Sequence, residues 1–343
     1  MKRPTIADIA REAGVSKGAV SYALNGRPGV SAATRERILA VADRLQFHAD
    51  SNARALAGAK TRVVGLTLRR PPSTLGVEPF FMELISGIEL ELSRRSYALL
   101  LQMAPGRDEE LGFYRRWFSE GRVDGVLVCD VHVGDPRVGM LQELGLPAVV
   151  IGPPDVSGTL TSVWSDDERS MVEAVEYLAA LGHRRIARVG GIPQLAHTAI
   201  RTAAFAGVCA RLGIADAVTV PADYTGEAAA RATRKLLGRP AGAGGPPTAL
   251  LYDNDVMAVA GLTAARELGV AVPAELSIVA WDDSPICRLL HPPLTALTRD
   301  IGAYGVQAAR TLLAAIAGEA VTSTHGAPAH LTPRGSTAPP RTS

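Results

Sequence analysis

Two successive series of short apolar runs, each run followed by an amphipathic stretch, restrict the fold of most of this chain. The stretches between the runs, such as 80–96 and 108–120, have helical periodicity. Strands that alternate with helices form parallel sheets from βαβ units, so the two series predict two doubly wound parallel-sheet subdomains. The predicted buried strands are VVGLTL (63–68), YALLLQM (97–103), GVLVCD (125–130) and AVVIG (148–152), then IARVGG (186–191), AVTVP (217–221), ALLYD (249–253) and SIVAW (277–281).

A ligand cleft is expected between these two subdomains. Ligands of open parallel sheets bind at the carboxyl ends of the strands, and two subdomains that close on a ligand form a common switching device. The Pro/Gly-rich stretch 239–247 lies within the second series, so it predicts a surface loop, and GGIP (190–193) indicates only a glycine turn. The predicted cleft loops are 69–78, 130–134, 191–200, 252–255 and 281–285.

Composition favours a large intracellular protein. With 343 residues, 47% of them hydrophobic, the chain has the length of two or three domains at roughly 100–200 residues each. It has no apolar run long enough for a membrane span, and its N-terminus lacks the apolar region of a secretory signal. The three cysteines lack CxxC spacing, so we expect reduced thiols in the cytoplasm and neither disulfides nor a metal site.

The first sixty residues carry a positive charge that the rest of the chain does not share. Ten lysines and arginines stand there against five acidic residues, a net +5, while the whole chain has +2 and the remainder therefore −3. A basic segment on a mildly acidic body is typical of a polyanion-binding domain.

Three short helices are predicted in this basic segment. Thr5, Ser16 and Ser31 have the positions of N-terminal caps, and Gly14 has that of a C-terminal glycine. Two helices joined by a tight turn and braced by a third form a helix-turn-helix unit. A generic three-helix bundle with a solvated face is the alternative. The apolar stripes are Ile6, Ile9, Ala10 and Ala13 in the first helix, Val20, Ala23 and Leu24 in the second, and Ile38, Val41, Ala42 and Leu45 in the third.

The outward face of the second helix is polar and mostly small. Such a face suits a helix that lies in the DNA major groove, which is about 12 Å wide. The residues on this face are Lys17, Gly18, Ser21, Tyr22 and Asn25.

The segment TIADIAREAGVSKGAVSYALNG…VSAATRERILAVADRL resembles the DNA-binding headpiece of the lactose-repressor (LacI/GalR-type) family of bacterial transcription regulators. Further similar stretches follow in order through the chain, from LGHRRIARVGG (181–191) to LTPRGSTAPP (331–340). The resemblance implies a headpiece (1–49), a hinge (50–60) and a core domain (61–343) like a periplasmic sugar-binding protein. We assign about 61–162 and 295–322 to the first subdomain, and about 163–294 and 323–343 to the second.

The resemblance also implies which residues contact operator DNA. Lys17, Gly18 and Ser21 would read bases, and Thr5 and Asn25 are also expected to contact DNA. The hydroxyls of Ser16, Ser31 and Thr34 would contact phosphates, which sets the register without reading sequence. In the family the hinge becomes helical on DNA, where a leucine wedges into the minor groove; Leu56 and Ala53 match these positions. The alternative for the hinge is a flexible linker.

Tyr22 departs from the arginine that occupies its place in many members of the family and contacts guanine through two hydrogen bonds. A phenol has one donor or acceptor, and its ring can lie against a thymine methyl group. We therefore expect a different base pair at this operator position and weaker discrimination there. The alternative is a phosphate contact only.

The matching core positions imply an effector site. Arg201 would clamp the effector, Asp282 would accept hydrogen bonds from its hydroxyls, Tyr224 would flank it and Asn254 would reach it. Arginine and aspartate form charge-assisted bonds to polar ligands, and aromatic faces stack on rings. Other roles are a surface cation for Arg201 and a helix cap for Asp282. Two further aromatic candidates, which could instead be core residues, are Trp164 and Phe80.

These features together predict a cytoplasmic, homodimeric repressor that binds double-stranded operator DNA and is controlled by a small ligand, a sugar or sugar derivative. Co-repression by a nucleobase-like ligand is the alternative, and a solute-binding protein is a third. We predict no catalytic residues, because no nucleophile–base pair or phosphate loop stands out, and no cofactor or metal.

Overall fold

The computed structural model describes residues 4–24, 27–45, 47, 60–71, 76–240 and 244–341. The chain divides into two compact units, Met1–Thr61 and Arg62–Ser343. The hinge residues Ala53 and Leu56 and the headpiece residue Asn25 lie outside the described residues.

The headpiece consists of three helices, α1 (Ile6–Ala13), α2 (Lys17–Leu24) and α3 (Ala32–Arg44). The predicted caps are present. Thr5 Oγ1 accepts from the Asp8 N–H (3.4 Å), and Ser16 Oγ accepts from the Ala19 N–H (3.2 Å). Gly14 ends α1 with a φ of 65°, a left-handed conformation that glycine adopts without steric cost.

The apolar stripes of the three helices meet in one small core. Ile9, Val20 and Ile38 are fully buried at its centre. This packing confirms the predicted helix-turn-helix unit, with α3 bracing the other two helices.

The core domain contains two six-stranded sheets. The strands are β1 (Val63–Leu68), β2 (Ala98–Met103), β3 (Gly125–Val128), β4 (Ala148–Ile151), β5 (Thr161–Trp164), β6 (Arg185–Gly190), β7 (Asp216–Pro221), β8 (Ala249–Tyr252), β9 (Ser277–Trp281), β10 (Thr295–Thr298), β11 (Thr324–His325) and β12 (His330–Thr332). The first sheet has the order β11-β5-β4-β3-β1-β2 and the second β12-β10-β9-β8-β6-β7, and all pairings are parallel except that of β10 with β12. The predicted fold of two doubly wound parallel sheets is therefore confirmed.

Helices cover both faces of each sheet and bury its apolar strands. The helices are α4 (Pro79–Arg94), α5 (Arg107–Ser119), α6 (Pro136–Leu144), α7 (Asp167–Ala180), α8 (Ala196–Arg211), α9 (Gly226–Leu237), α10 (Asp255–Glu267), α11 (Pro285–Leu289) and α12 (Ile301–Ile316). The pair α4 and α12 packs closely, because Gly87 and Gly305 let the two backbones approach; a Cβ at Gly87 would lie 2.0 Å from the Gly302 carbonyl oxygen.

Two of the strands predicted to be buried are not. β2 consists of exposed and half-buried residues, with Leu101 38% exposed, and β7 is half-buried along most of its length. Both are edge strands, so each lacks a neighbouring strand and the full helix cover that a central strand receives.

The subdomain boundaries also differ from the predicted ones. β10 (Thr295–Thr298), assigned to the first subdomain, pairs with β9 in the second sheet. Conversely, Val163 and Trp164 in β5 and the strand Thr324–His325 belong to the first sheet. The chain therefore crosses between the sheets after β5, after β10 and after β11. These crossings were misplaced because apolar periodicity identifies a strand but not the sheet that it joins.

Candidate functional site

A cleft that is partly open to solvent lies between the two sheets of the core domain at the carboxyl ends of their strands. All six residues predicted to bind an effector line this cleft. They come from different elements: Phe80 begins α4, Trp164 ends β5, Arg201 lies within α8, and the other three, Tyr224, Asn254 and Asp282, follow β7, β8 and β9.

Arg201 is not a surface cation. It is 4% exposed, its Nε donates to Asp167 Oδ2 (2.9 Å), and its guanidinium lies 3.7 Å from the centre of the Trp281 ring. Burial alone would lower the pKa of Arg201, but the carboxylates of Asp167 and Asp253 hold it above its usual value. The arginine is therefore a fixed positive charge in the wall of the cleft.

Asp282 is not a helix cap. It has a left-handed φ of 65°, and its Oδ1 accepts a hydrogen bond from Arg299 Nε (3.1 Å). The next helix, α11, begins after Ser284. Because non-glycine residues rarely adopt a positive φ, the surrounding contacts must hold the Asp282 carboxylate towards Arg299 and the cleft.

Tyr224 is fixed by the loop that follows β6 and by the first turn of α8. Its hydroxyl lies 2.8 Å from both His197 Nε2 and Thr198 Oγ1, and its ring rests against Gly191, where a Cβ would lie 1.9 Å from Tyr224 Cζ. The glycine turn at 190–193 thus has a definite role, because only glycine at position 191 leaves room for the ring.

Asn254 caps a helix and also connects two other residues of the cleft. Its Oδ1 accepts from the Met257 N–H (2.8 Å), which caps α10, while its Nδ2 donates to the Tyr224 carbonyl (3.2 Å) and to Glu78 Oε1 (3.4 Å). The contact with Glu78 joins the two subdomains across the cleft.

Several charged residues of the cleft were not selected from the sequence. Arg70 and Asp130 follow β1 and β3, and Arg70 Nε donates to Asp130 Oδ2 (2.8 Å). The Arg70 guanidinium also lies 4.7 Å from the centre of the Tyr224 ring. Their loops were predicted to border the cleft, and each is a charged side chain within two residues of the end of a buried strand, a sequence signal that could have found them. The other residues missed are Glu78, Asp167, His197, Asp253 and Arg299.

Two carboxyl groups beside the cleft have strongly raised pKa values. Burial raises the pKa of Glu78 to about 7; Arg70 opposes the rise, and Asp130 and Asp282 add to it. Burial, with a contribution from Asp282, raises the pKa of Asp255 to about 6. Burial also lowers the pKa of His197 to about 4, with Arg201 acting in the same direction, so this imidazole is neutral at pH 7.

A pH dependence of stability follows for Glu78. Its pKa rises on folding from 4.5 to about 7, so the folded state binds more protons between these values and stability falls as pH increases through this window. We expect Glu78→Gln to stabilise the core domain relative to wild type at pH 8, by about 3 kcal/mol at most, and much less at pH 4.5. Urea unfolding of wild type and Glu78→Gln at the two pH values measures the difference in free energy of unfolding. The same difference at pH 4.5 and pH 8 would contradict the raised pKa of Glu78.

Four of the residues predicted to contact DNA are described along α2. Lys17, Gly18 and Tyr22 are exposed along α2, with Ser21 half-buried beside them. The Tyr22 ring rests against Gly29, where a Cβ would lie 3.3 Å from Tyr22 Cδ2. This contact braces a large aromatic ring that is nevertheless 45% exposed.

Four other headpiece residues predicted to contact DNA carry hydroxyl groups. Thr5, Ser16 and Ser31 cap their helices and are exposed, while Thr34 is half-buried and its Oγ1 accepts from Ser31 Oγ (2.9 Å). Their hydroxyls thus stand at the N-terminal ends of α1, α2 and α3. Backbone N–H groups at helix N-termini favour anions such as phosphate.

Two further searches concern the part of the chain that the structure describes. It contains no group of three or more histidine, cysteine or acidic side chains arranged to hold a metal ion. None of its helices is both long and apolar enough to cross a membrane.

A helix-turn-helix unit followed by a core of two parallel sheets with a cleft between them is the architecture of a DNA-binding transcription regulator. Residues 5–50 match the family described as bacterial regulatory proteins, lacI family, and residues 175–337 match the periplasmic binding protein-like domain. The chain is 31% identical over 329 residues to the HTH-type transcriptional regulator CelR of Thermobifida fusca, covering 93% of each chain. It is 30% identical to catabolite control protein A of Priestia megaterium, covering 88% of this chain and 90% of that one.

Solved structures agree with these relatives. A lac repressor dimer bound to operator and the anti-inducer ONPF superposes with a TM-score of 0.84 at 26% identity, covering 98% of this chain and 100% of that one. A complex of the regulator CelR with cellobiose gives a TM-score of 0.73 at 28% identity, with 97% and 100% covered. This chain belongs to the lacI family of bacterial regulatory proteins; it is a DNA-binding transcription regulator and not an enzyme.

Proposed function

We propose that this protein is a repressor that binds its operator as a homodimer and is controlled allosterically by a carbohydrate bound in the core-domain cleft. The cleft carries the proposal, because it combines aromatic faces with buried charged groups, the composition of a site for a polar ring-shaped ligand. The complex of a related regulator with cellobiose supports the carbohydrate. Two headpieces are needed to read two half-sites of an operator, which supports the dimer.

Contacts across the cleft support the allosteric part of the proposal. Arg70 of the first subdomain stacks on Tyr224 of the second, and the Ala196 N–H donates to the Val131 carbonyl (2.9 Å). A ligand that binds among these contacts differs in affinity between closed and open arrangements of the subdomains, and this difference biases their equilibrium. The coupling is reciprocal, so operator DNA must change ligand affinity by the same factor as ligand changes operator affinity.

The test is binding of the purified protein to its own upstream intergenic DNA, measured by fluorescence anisotropy with and without a panel of sugars and nucleobases. We expect specific binding that one sugar weakens, and a dimer by light scattering. A nucleobase that is required for binding would replace the proposal with co-repression. Specific DNA binding that no ligand changes would contradict the proposed control of operator binding by a ligand.

Tyr22 gives a prediction for the operator itself. We propose that its ring contacts a base edge, so binding-site selection should return weaker discrimination at this base pair than the roughly 1–3 kcal/mol of a bidentate contact. Tyr22→Arg should shift the preferred base at this position to guanine and increase the discrimination against the other bases about tenfold or more. Tyr22→Phe is the matched control, since it keeps the ring. Selection of guanine at full strength by the wild type would contradict the base contact, and an equal loss on all sequences in Tyr22→Phe would indicate a phosphate contact.

A further inference from the structure

The three arginines that line the cleft each have an aspartate partner. Arg70 pairs with Asp130 (2.8 Å), and the other two pairs are Arg201 with Asp167 (2.9 Å) and Arg299 with Asp282 (3.1 Å). All six residues are buried or nearly so, and water does not screen these pairs as it would at the surface. An anionic ligand would therefore have to displace a carboxylate that already neutralises the arginine. The cleft does not offer it an unbalanced positive charge.

Glu78 differs from the other acidic residues of the cleft. It is 5% exposed, and within the described part of the chain it has no ion-pair partner. Its Oε1 accepts a long hydrogen bond from Asn254 Nδ2 (3.4 Å), while its Oε2 is buried without a hydrogen-bond partner among the described residues. A buried acceptor without a partner costs free energy, so Oε2 is a strong acceptor for any donor that a ligand brings.

Arg70 presents the complementary atom. Its Nε is used by Asp130, but its Nη1 is buried and, within the same described ranges, has no hydrogen-bond partner. Arg70 is 6% exposed and lies close enough to Glu78 to affect its pKa. The wall of the cleft therefore offers a ligand one unused acceptor and one unused donor from the same region of the first subdomain.

The chemistry of these two atoms selects between ligand classes. A carboxylate or phosphate could accept from Arg70 Nη1, but it would lie beside the Glu78 carboxyl group and leave Oε2 unpaired. An ammonium group could donate to Glu78, but it would lie beside the Arg70 guanidinium and leave Nη1 unpaired. A hydroxyl both donates and accepts, so two hydroxyls of one uncharged ligand satisfy both atoms.

We propose that Glu78 and Arg70 bind two hydroxyls of an uncharged polyhydroxylated effector and thereby exclude its charged analogues. This inference rests on the proposed function and adds the determinant of effector class. The half-buried side chains of Phe80 and Trp164 line the same cleft, and aromatic faces suit the apolar C–H faces of a sugar ring. Glu78 also contacts Asn254 of the second subdomain, so a ligand that binds Glu78 lies where the two subdomains meet.

The test begins with a thermal-shift screen of the full-length wild type against uncharged mono- and disaccharides, including glucose, ribose, maltose and cellobiose. The same screen includes glucosamine, glucuronate and glucose 6-phosphate. Calorimetry then gives the Kd of the tightest ligand for wild type, Glu78→Gln and Glu78→Leu. We expect an uncharged sugar to bind most tightly. At pH 8, above the Glu78 pKa of about 7, the carboxyl group is mostly ionised. There Glu78→Leu should weaken binding of this sugar about 10- to 100-fold, as expected when a hydrogen bond to a charged group is lost, and Glu78→Gln, which keeps one acceptor, should weaken it less.

Glu143→Gln is the matched control, because it removes one negative charge from an exposed position of the first subdomain and should leave the Kd unchanged. Urea unfolding of each variant separates loss of binding from loss of folding. Tightest binding of a charged analogue, or a Kd that neither Glu78 variant changes, would overturn the inference. Operator release is measured in parallel: a sugar that binds through Glu78 without affecting operator binding would contradict only the proposed function, and no binding by any compound of the screen would overturn both.

Discussion

The Ile38→Ala variant is expected to lose operator binding while its core domain stays folded and keeps its ligand affinity. Ile38 is fully buried at the centre of the headpiece core, beside Ile9 and Val20. Truncation of a buried isoleucine to alanine costs about 2–5 kcal/mol. A domain of this size is stabilised by only about 2–7 kcal/mol, at roughly 0.05–0.15 kcal/mol per residue. The loss is therefore comparable with the whole stability of the headpiece.

Leu39→Ala is a matched control for this variant. Leu39 is the next residue of α3 and is 45% exposed, so the same kind of truncation should change stability by less than about 0.5 kcal/mol. Anisotropy with operator DNA measures the headpiece, and calorimetry with the ligand measures the core domain. We expect Ile38→Ala to weaken operator binding at least about tenfold and Leu39→Ala to bind as wild type. Equal operator affinity of the two variants would contradict the importance of this core.

Replacement of Asp253 by leucine is expected to destabilise the core domain by about 3–5 kcal/mol. The Asp253 carboxylate pairs with Arg188, which is fully buried and donates to it from Nε (2.7 Å) and Nη2, and it also accepts from the Gly191 N–H (2.9 Å). Without the carboxylate, Arg188 is a buried charge without its counter-ion and the Gly191 N–H loses its acceptor. In a protein of this size the melting temperature should fall on the order of 10 °C, measured by calorimetry.

The double variant Arg188→Met/Asp253→Leu distinguishes an unpaired charge from a general loss of packing. Removing both partners takes away the buried charge together with its counter-ion, and apolar side chains of similar volume often replace a buried ion pair at little cost. We expect the double variant to recover most of the stability lost in Asp253→Leu. A double variant as unstable as the single one would show that the pair matters through packing and through Gly191. Glu227→Ala, which breaks an exposed ion pair with Arg231, should have almost no effect.

The sequence was sufficient to predict most elements of this fold, because their determinants are local. Caps such as Thr5 and Ser31 and the alternation of apolar runs are visible within a few neighbouring residues. The predicted strand 63–68 and the observed strand β1 (Val63–Leu68) coincide. Burial at the sheet edges was not predictable, since the apolar residues of β2 resemble those of a central strand and only the sheet order shows that one neighbour is missing.

The candidate site was predicted less completely, and the reason is physical. Arg201 and Asp282 were found through matching positions, but their partners Asp167 and Arg299 stand 34 and 17 residues away in the chain. An ion pair between such positions depends on the fold and has no local signature. The same holds for Glu78. Its unusual feature is that its buried Oε2 has no hydrogen-bond partner among the described residues, and the sequence around it does not show this.

The three crossings of the chain between the sheets have an evolutionary consequence. Neither subdomain is encoded by one continuous stretch of the gene, because β11 returns to the first sheet after β6–β10 have formed the second, and β12 then returns to the second sheet. A single recombination event between two relatives, at any point between β5 and β12, would therefore place strands of both parents within one sheet. New combinations of subdomains require several coordinated breakpoints, so we expect the two halves of the cleft to be inherited together and to diversify by point substitution.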